Sequence, residues 1–160
     1  MILVSSCLLG KKCKYNGGDN LSPALLEYLQ DKEYVCCCPE QLGGLPTPRI
    51  PAEIQGGSGE KVWQNRAVVI NKAGQDVSAA FRQGAEAALD ICRGHGVDCA
   101  ILKEGSPSCG VAHIYDGSFS GQKIPGCGVT AALLAAAGIR LISSDTFKPD
   151  KPASDSLSEK

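Results

Sequence analysis

The chain has 160 residues, 43% of them apolar and 21% charged, with a formal net charge of −1. That is the size and balance of one soluble globular domain with a full core. The near-neutral charge, without a long basic run, argues against an electrostatic nucleic-acid binder, and no stretch approaches the ~18 apolar residues of a membrane span.

Met1–Ser5 opens as a short apolar run without alternation, the pattern of a buried parallel strand. Gly10, Gly17 and Gly18 mark the loop that follows, and Ser22-Pro23 predicts a helix start with serine at the cap. Tyr34–Cys38 is a second short run, ended by Pro39. Residues 39–60, rich in proline and glycine, predict a structured loop, and Ala67–Asn71 predicts a third strand. Phe81, Ala85, Ala88, Leu89 and Cys92 carry helical spacing over Ser78–Arg93, stopped by Gly94 and Gly96. Cys99–Lys103 is the fourth strand candidate, breaking at Gly105-Ser106-Pro107. Gly117–Gly128 predicts a loop over the site, Gly126–Ala137 an alanine-rich helix, and Ile139–Ser143 a last strand. Strands alternating with helices predict one three-layer α/β domain over residues 1–147, with a central, mainly parallel sheet. Residues 148–160, polar and containing proline and serine, are expected to form a frayed C-terminal tail.

Nine cysteines are the unusual feature. An odd count with Cys36, Cys37 and Cys38 adjacent makes a poor disulfide framework and points to a reducing cytoplasm. Val4-Ser5-Ser6-Cys7 has the look of a lipoprotein cleavage box but lacks the flanking basic and apolar regions. Cys7, Cys38 and Cys109 each follow a predicted strand, so a parallel sheet would bring them to one edge, where ligands bind. Three converging thiolates suit a soft metal centre. Spacing alone leaves an iron–sulfur cluster and zinc equally open, because no Cys-x-x-Cys pair signals either. Cys36, Cys37, Cys92 and Cys99 fall on strand or helix patterns and read as packed thiols. Cys37 should face away from Cys36 and Cys38. Cys13 and Cys127, in glycine-rich loops, are the reserve ligands.

Ser6-Cys7-Leu8-Leu9-Gly10 with Tyr15-Asn16-Gly17-Gly18 opens a set of ordered motifs. Cys38-Pro39-Glu40 with Gly43-Gly44-Leu45 and Thr47-Pro48-Arg49 follows, then Lys103-Glu104-Gly105-Ser106-Pro107-Ser108-Cys109-Gly110. Ile114-Tyr115-Asp116-Gly117-Ser118-Phe119 and Gly126-Cys127-Gly128-Val129-Thr130 complete the set. Together, over roughly residues 1 to 145, the chain resembles the thiouracil desulfidase family, long known as a domain of unknown function. The resemblance implies a [4Fe–4S] cluster on Cys7, Cys38 and Cys109 with one iron open to substrate. It also implies removal of sulfur, without redox change, from a thiolated pyrimidine, a small-molecule partner.

If so, Glu40 is expected as general base, Ser106 or Ser108 as positioning hydroxyl, and Lys103 as stabiliser of developing negative charge. Arg49 and Asp116 would contact the substrate. His95 and His113 receive no chemical role. Two other classes remain beside the enzyme: a non-catalytic iron–sulfur or zinc protein, and a cysteine persulfide sulfurtransferase.

Overall fold

Unbroken apolar runs become the central strands. The computed structural model describes residues 1–148, so most of the expected tail, residues 149–160, lies outside the described residues. In chain order the elements are β1 (Ile2–Ser5), a 3-10 turn (Ser6–Leu9), α1 (Pro23–Leu29), β2 (Tyr34–Cys37), α2 (Pro39–Leu42), β3 (Ala52–Gln55) and α3 (Gly59–Trp63). Then come β4 (Val68–Asn71), α4 (Ser78–His95), β5 (Cys99–Leu102), β6 (His113–Tyr115), β7 (Lys123–Pro125), α5 (Val129–Ala136) and β8 (Arg140–Ser143).

The central sheet has the order β2-β1-β5-β8 and is parallel throughout, with Val4 opposite both Cys36 and Ile101. Alternation along the strands sorts side chains to its two faces. Leu3, Cys37, Ala100 and Leu102 pack with Ala88, Leu89 and Cys92 of α4 and with Ala131 and Leu134 of α5. Val4 and Ile101 pack with Leu25 and Leu29 of α1, with Cys36 beside them. The three layers follow, and Cys37 faces away from Cys36 as expected. Fully burying one such Leu is worth about 1.5–3 kcal/mol, so these two interfaces supply much of the driving force.

The termini of α1 and α4 match their sequence signals. Ser22 Oγ accepts the Leu25 N–H at 3.4 Å, with Pro23 in the first turn. Gly96, in the left-handed region, closes α4 two residues later than predicted.

Four expectations need correction. Residues 39–60 are not only loop: α2, β3 and the start of α3 lie within them. The strand expected at Ala67–Asn71 stands outside the parallel sheet, because its partner is β3, antiparallel, with Val69 opposite Ile54. That pair packs with Phe81 and Val129 in a second apolar cluster. The helix expected from Gly126 begins only at Val129, because Gly126 and Gly128 donate their N–H groups to Ala112 and Gly110 at 3.0 and 2.9 Å. Within the expected loop Gly117–Gly128, β7 pairs antiparallel with β6.

Candidate active site

The ends of β1, β2 and β5 deliver the site to one sheet edge. Cys7 lies in the 3-10 turn directly after β1, and Gly10, at φ 87°, closes that turn with its N–H on the Cys7 carbonyl. Cys38 is extended and caps α2, with Pro39 in the first turn and the Leu42 N–H on its carbonyl at 3.0 Å. Cys109 sits on the loop after β5, where Ser106 Oγ accepts the N–H groups of Ser108 and Cys109 at 3.0 and 3.1 Å. The three cysteines line one cavity of about 520 Å³ together with Glu40, Arg49, Lys103 and Ser106.

Their thiols differ in acidity for local reasons. The Cys13 thiol, within hydrogen-bond reach of both Cys7 and Cys38, is the main cause that lowers Cys7 to about 7 and Cys38 to about 6. Burial opposes both shifts, while Asn20 supports the first and the Gln41 N–H the second. Cys13 itself is pushed far up by donating to Cys38 and Cys7. Burial raises Cys109 well above the usual thiol range, against a favourable contact with the Ser5 hydroxyl.

Glu40 stands two residues after Cys38. Burial raises its carboxyl above the ordinary range, and Arg49, with Nε 3.4 Å from Oε1, pulls the other way. Arg49 is pinned by the carbonyls of Cys13 and Pro46 at 2.8 and 3.2 Å and by Thr47 Oγ1 at 3.1 Å. Lys103 Nζ donates to the Glu104 carbonyl at 2.9 Å while its side chain lines the cavity. A second cavity of about 470 Å³ lies against Lys103, lined by Leu8, Leu25, Ile101 and Phe147. No cysteine lines it, so the thiol chemistry belongs to the first.

Two predicted residues do not reach the site. The Ser108 hydroxyl is buried against Thr130 Oγ1 at 2.7 Å, because the turn at Pro107 sends it toward α5. The Asp116 carboxylate closes its own turn on the Ser118 N–H at 2.9 Å. One organising residue carried no predicted role. Glu104 Oε1 accepts the N–H groups of Val111, Ala112 and His113 at 2.7, 2.9 and 3.1 Å, fixing the segment just beyond Cys109. Its position between Lys103 and Gly105 in the third motif was the available signal.

A family model described as 2-thiouracil desulfurase matches residues 2–146 of the chain. The chain belongs to the 2-thiouracil desulfurase family. As a 2-thiouracil desulfurase family member it is 49% identical over 145 residues to the uncharacterized protein YbbK of Bacillus subtilis (strain 168), covering 91% of this chain and 96% of that one. Its structure is similar to that of the [4Fe-4S]-dependent thiouracil desulfidase TudS, with a TM-score of 0.80 and 41% identity over 99% of this chain and 98% of the other.

The donor set of this 2-thiouracil desulfurase family member fits a cluster on its own chemistry. Iron–sulfur clusters are held by cysteine thiolates, and here three thiols from three separate loops meet at one cavity. No cysteine is engaged in a disulfide. Among the described residues no helix is long and apolar enough to cross a membrane.

Proposed function

We propose that this protein is a [4Fe–4S]-dependent desulfidase that replaces the sulfur of a thiolated pyrimidine with oxygen from water. The observation that carries the reading is the placement of Glu40 and Arg49 on the cavity that Cys7, Cys38 and Cys109 also line. A protein that only stored metal or carried electrons would gain nothing from a desolvated carboxyl beside its ligands, whereas hydrolytic chemistry needs a proton acceptor there. The name of the TudS structure and the family description support the same substrate class.

Cys7, Cys38 and Cys109 would hold the cluster, and its iron without a protein ligand would supply a Lewis acid for the thiocarbonyl. The chain's own residues supply the rest. Tyr15 and Tyr115 line the cavity and offer flat apolar faces to a pyrimidine ring. Glu40, with its raised pKa, takes a proton from the attacking water and returns one to the departing sulfur. Arg49 keeps that carboxylate oriented, and Lys103 places positive charge beside the carbon as negative charge develops. The Ser106 hydroxyl holds the Cys109 loop in place from the same cavity. The balance closes without electron transfer: thiocarbonyl and water become carbonyl and hydrogen sulfide. The free thiols suit a reducing compartment, and we place the protein in the cytoplasm.

The test is anaerobic reconstitution with iron and sulfide, followed by sulfide release from 2- and 4-thiouracil. About four irons per chain and sulfide stoichiometric with uracil are expected. A protein that holds the cluster but leaves both substrates intact would defeat the enzymatic reading.

A further inference from the structure

Glu53 borders the thiol-lined cavity, yet its carboxylate is committed to backbone groups and takes no part in the reaction just described. Ala52 and Ile54 of β3 pack into the second apolar cluster, so alternation turns Glu53 and Gln55 the other way, toward the β6–β7 turn. Glu53 Oε1 accepts the N–H groups of Gly117 and Phe119 at 3.0 and 3.2 Å. Gln55 Nε2 donates to the Gly117 carbonyl at 2.9 Å. Gly117, at φ 93°, comes so close that a Cβ would stand 2.6 Å from the Ile54 carbonyl oxygen. Phe119, at φ 57°, has a left-handed conformation that bulky residues rarely adopt, and the Glu53 bond holds it there.

The anchor matters because of what the hairpin carries. β6 and β7 are 3 residues each, and a two-stranded hairpin of that size is marginal by itself. Ile114, 1% exposed, secures its base in the second cluster. Glu53 secures its turn. Tyr115 lies between these two fixings, opposite Lys123, whose Nζ is 5.7 Å from the ring centroid. The ring also lies against Gly105, where a Cβ would stand 3.8 Å from Tyr115 Cε2. Gly105 directly precedes Ser106 on the loop of Cys109, so the ring borders the cavity beside that loop.

We propose that Glu53 is a positioning residue for substrate binding. By holding the β6–β7 turn against β3, it sets the Tyr115 ring as the platform on which the thiolated pyrimidine stacks. Glu53 thereby governs how tightly the substrate is held and leaves the rate of the chemical step alone. The role needs an acceptor at Oε1 rather than a negative charge, since both partners are neutral N–H groups. This inference rests on the desulfidase reading above for the class of its ligand.

The experiment uses anaerobically reconstituted full-length protein as wild type, Glu53→Ala, Glu53→Gln, Tyr115→Leu and the Glu53→Ala/Tyr115→Leu double variant. Iron content, KM and kcat for 4-thiouracil and the Kd of the product uracil are measured for each, with amide hydrogen exchange over residues 113–125. Glu53→Ala should raise KM and the uracil Kd about tenfold, the scale of one aromatic face on a base, with kcat and iron content held. Its Gly117 and Phe119 amides should exchange faster. Glu53→Gln should bring KM and Kd to within about threefold of wild type, because its amide oxygen accepts the same N–H groups. Tyr115→Leu should weaken binding to the same degree and the double variant no further, as for two residues acting through one contact. Should Glu53→Ala fail to fold, Glu53→Asp, one methylene shorter, takes its place.

An unchanged KM in Glu53→Ala overturns the proposal, as does a glutamine variant as weak as alanine or a double variant whose losses add. A fall in iron content or kcat at unaltered KM and Kd overturns it too, because the hairpin would then serve only the fold. These failures leave the desulfidase reading intact. A wild type that binds uracil through Glu53 and Tyr115 but releases no sulfide from 4-thiouracil defeats that reading and leaves the positioning role standing. A wild type that neither binds uracil nor releases sulfide overturns both.

Discussion

Arg49 Nε stands 3.4 Å from Glu40 Oε1, and the two side chains are only 6% and 20% exposed. The pair sets the pH behaviour of the site. Burial raises the Glu40 carboxyl, and Arg49 restrains the rise. A base must be ionised to act, so activity should climb through a limb above the ~4.3 of an ordinary glutamate. Arg49→Gln removes the restraint and should move that limb to higher pH. A limb that stays in place would separate Arg49 from the acid–base step.

Glu40→Gln should cut the sulfide-release rate by roughly 10²–10⁴-fold, with four irons per chain retained. It should also raise the melting temperature at pH 7 to 8. The folded-state pKa is raised, so the stability tied to Glu40 is present below its unfolded value and is lost as pH rises through the folded one. Glutamine stays neutral throughout. Arg49 keeps its bonds to Cys13, Pro46 and Thr47, which limits the cost of losing its carboxylate. A glutamine variant that melts lower than wild type at pH 8 would contradict the linkage.

The cysteines separate the rival readings. Replacing Cys7, Cys38 or Cys109 by serine should each abolish the broad visible band of the reconstituted protein and sulfide release with it. Cys99→Ser, at a buried thiol in β5 outside the cavity lining, should leave both in place. A persulfide sulfurtransferase would behave differently: metal-free protein would turn over, and a single cysteine, most simply Cys38 with its pKa near 6, would suffice. Turnover by iron-free protein therefore decides against the cluster.

How much of this was legible in the sequence follows from what each segment uses as its signal. β1, β2 and β5 are short apolar runs in a parallel sheet, β1 and β5 central and β2 at its edge, so composition alone marked them and placed Cys7, Cys38 and Cys109 at one end of the strands. β3, Ala-Glu-Ile-Gln, is four mixed residues held by pairing to β4, and no local pattern announces a partner 16 residues on. α2 is a single turn whose existence depends on packing against α4 rather than on propensity. Ser106 and Ser108 look equivalent around Pro107, yet the fold turns the second toward Thr130. That distinction is tertiary. Glu104 acts through backbone groups seven to nine residues away, which side-chain spacing cannot show.

Glu104 makes a separate prediction. Burial works to raise its carboxyl, but the Ser143 hydroxyl and the N–H groups of His113, Ala112 and Val111 outweigh it and hold the pKa below the ordinary value. Oε2 is buried without a partner in hydrogen-bond geometry, so the Ser143 hydroxyl acts from outside that geometry and Oε1 does most of the anchoring. A lowered pKa contributes stability above the unfolded value that is lost as pH falls through the folded one, in the window below ~4.3. Glu104→Gln should flatten the fall in melting temperature across that window. Glu104→Ala, leaving three backbone donors without their acceptor, should cost at least about 1–3 kcal/mol, measured by denaturant unfolding at pH 7.

The position of Glu40 also depends on a glycine far from it in sequence. Gly84 lies in the interior of α4, where alanine would ordinarily be the better helix former by roughly 0.5–1 kcal/mol. A Cβ there would stand 1.9 Å from the Pro39 carbonyl oxygen, and one at Gly43 would stand 2.1 Å from that of Ala80. The two glycines let α2 lie directly on α4, which sets where Cys38 and Glu40 enter the cavity. Gly84→Ala must push α2 away. It should destabilise the fold by about 1–3 kcal/mol despite its gain in helix propensity. It should also reduce both cluster retention and turnover, because the proposed ligand Cys38 and the proposed base Glu40 ride on the same displaced turn. Gly94→Ala, where a Cβ meets nothing within 4 Å, is the control that should leave activity unchanged. Were Gly84→Ala to match that control in iron content and rate, the α2–α4 contact would not be what positions Glu40.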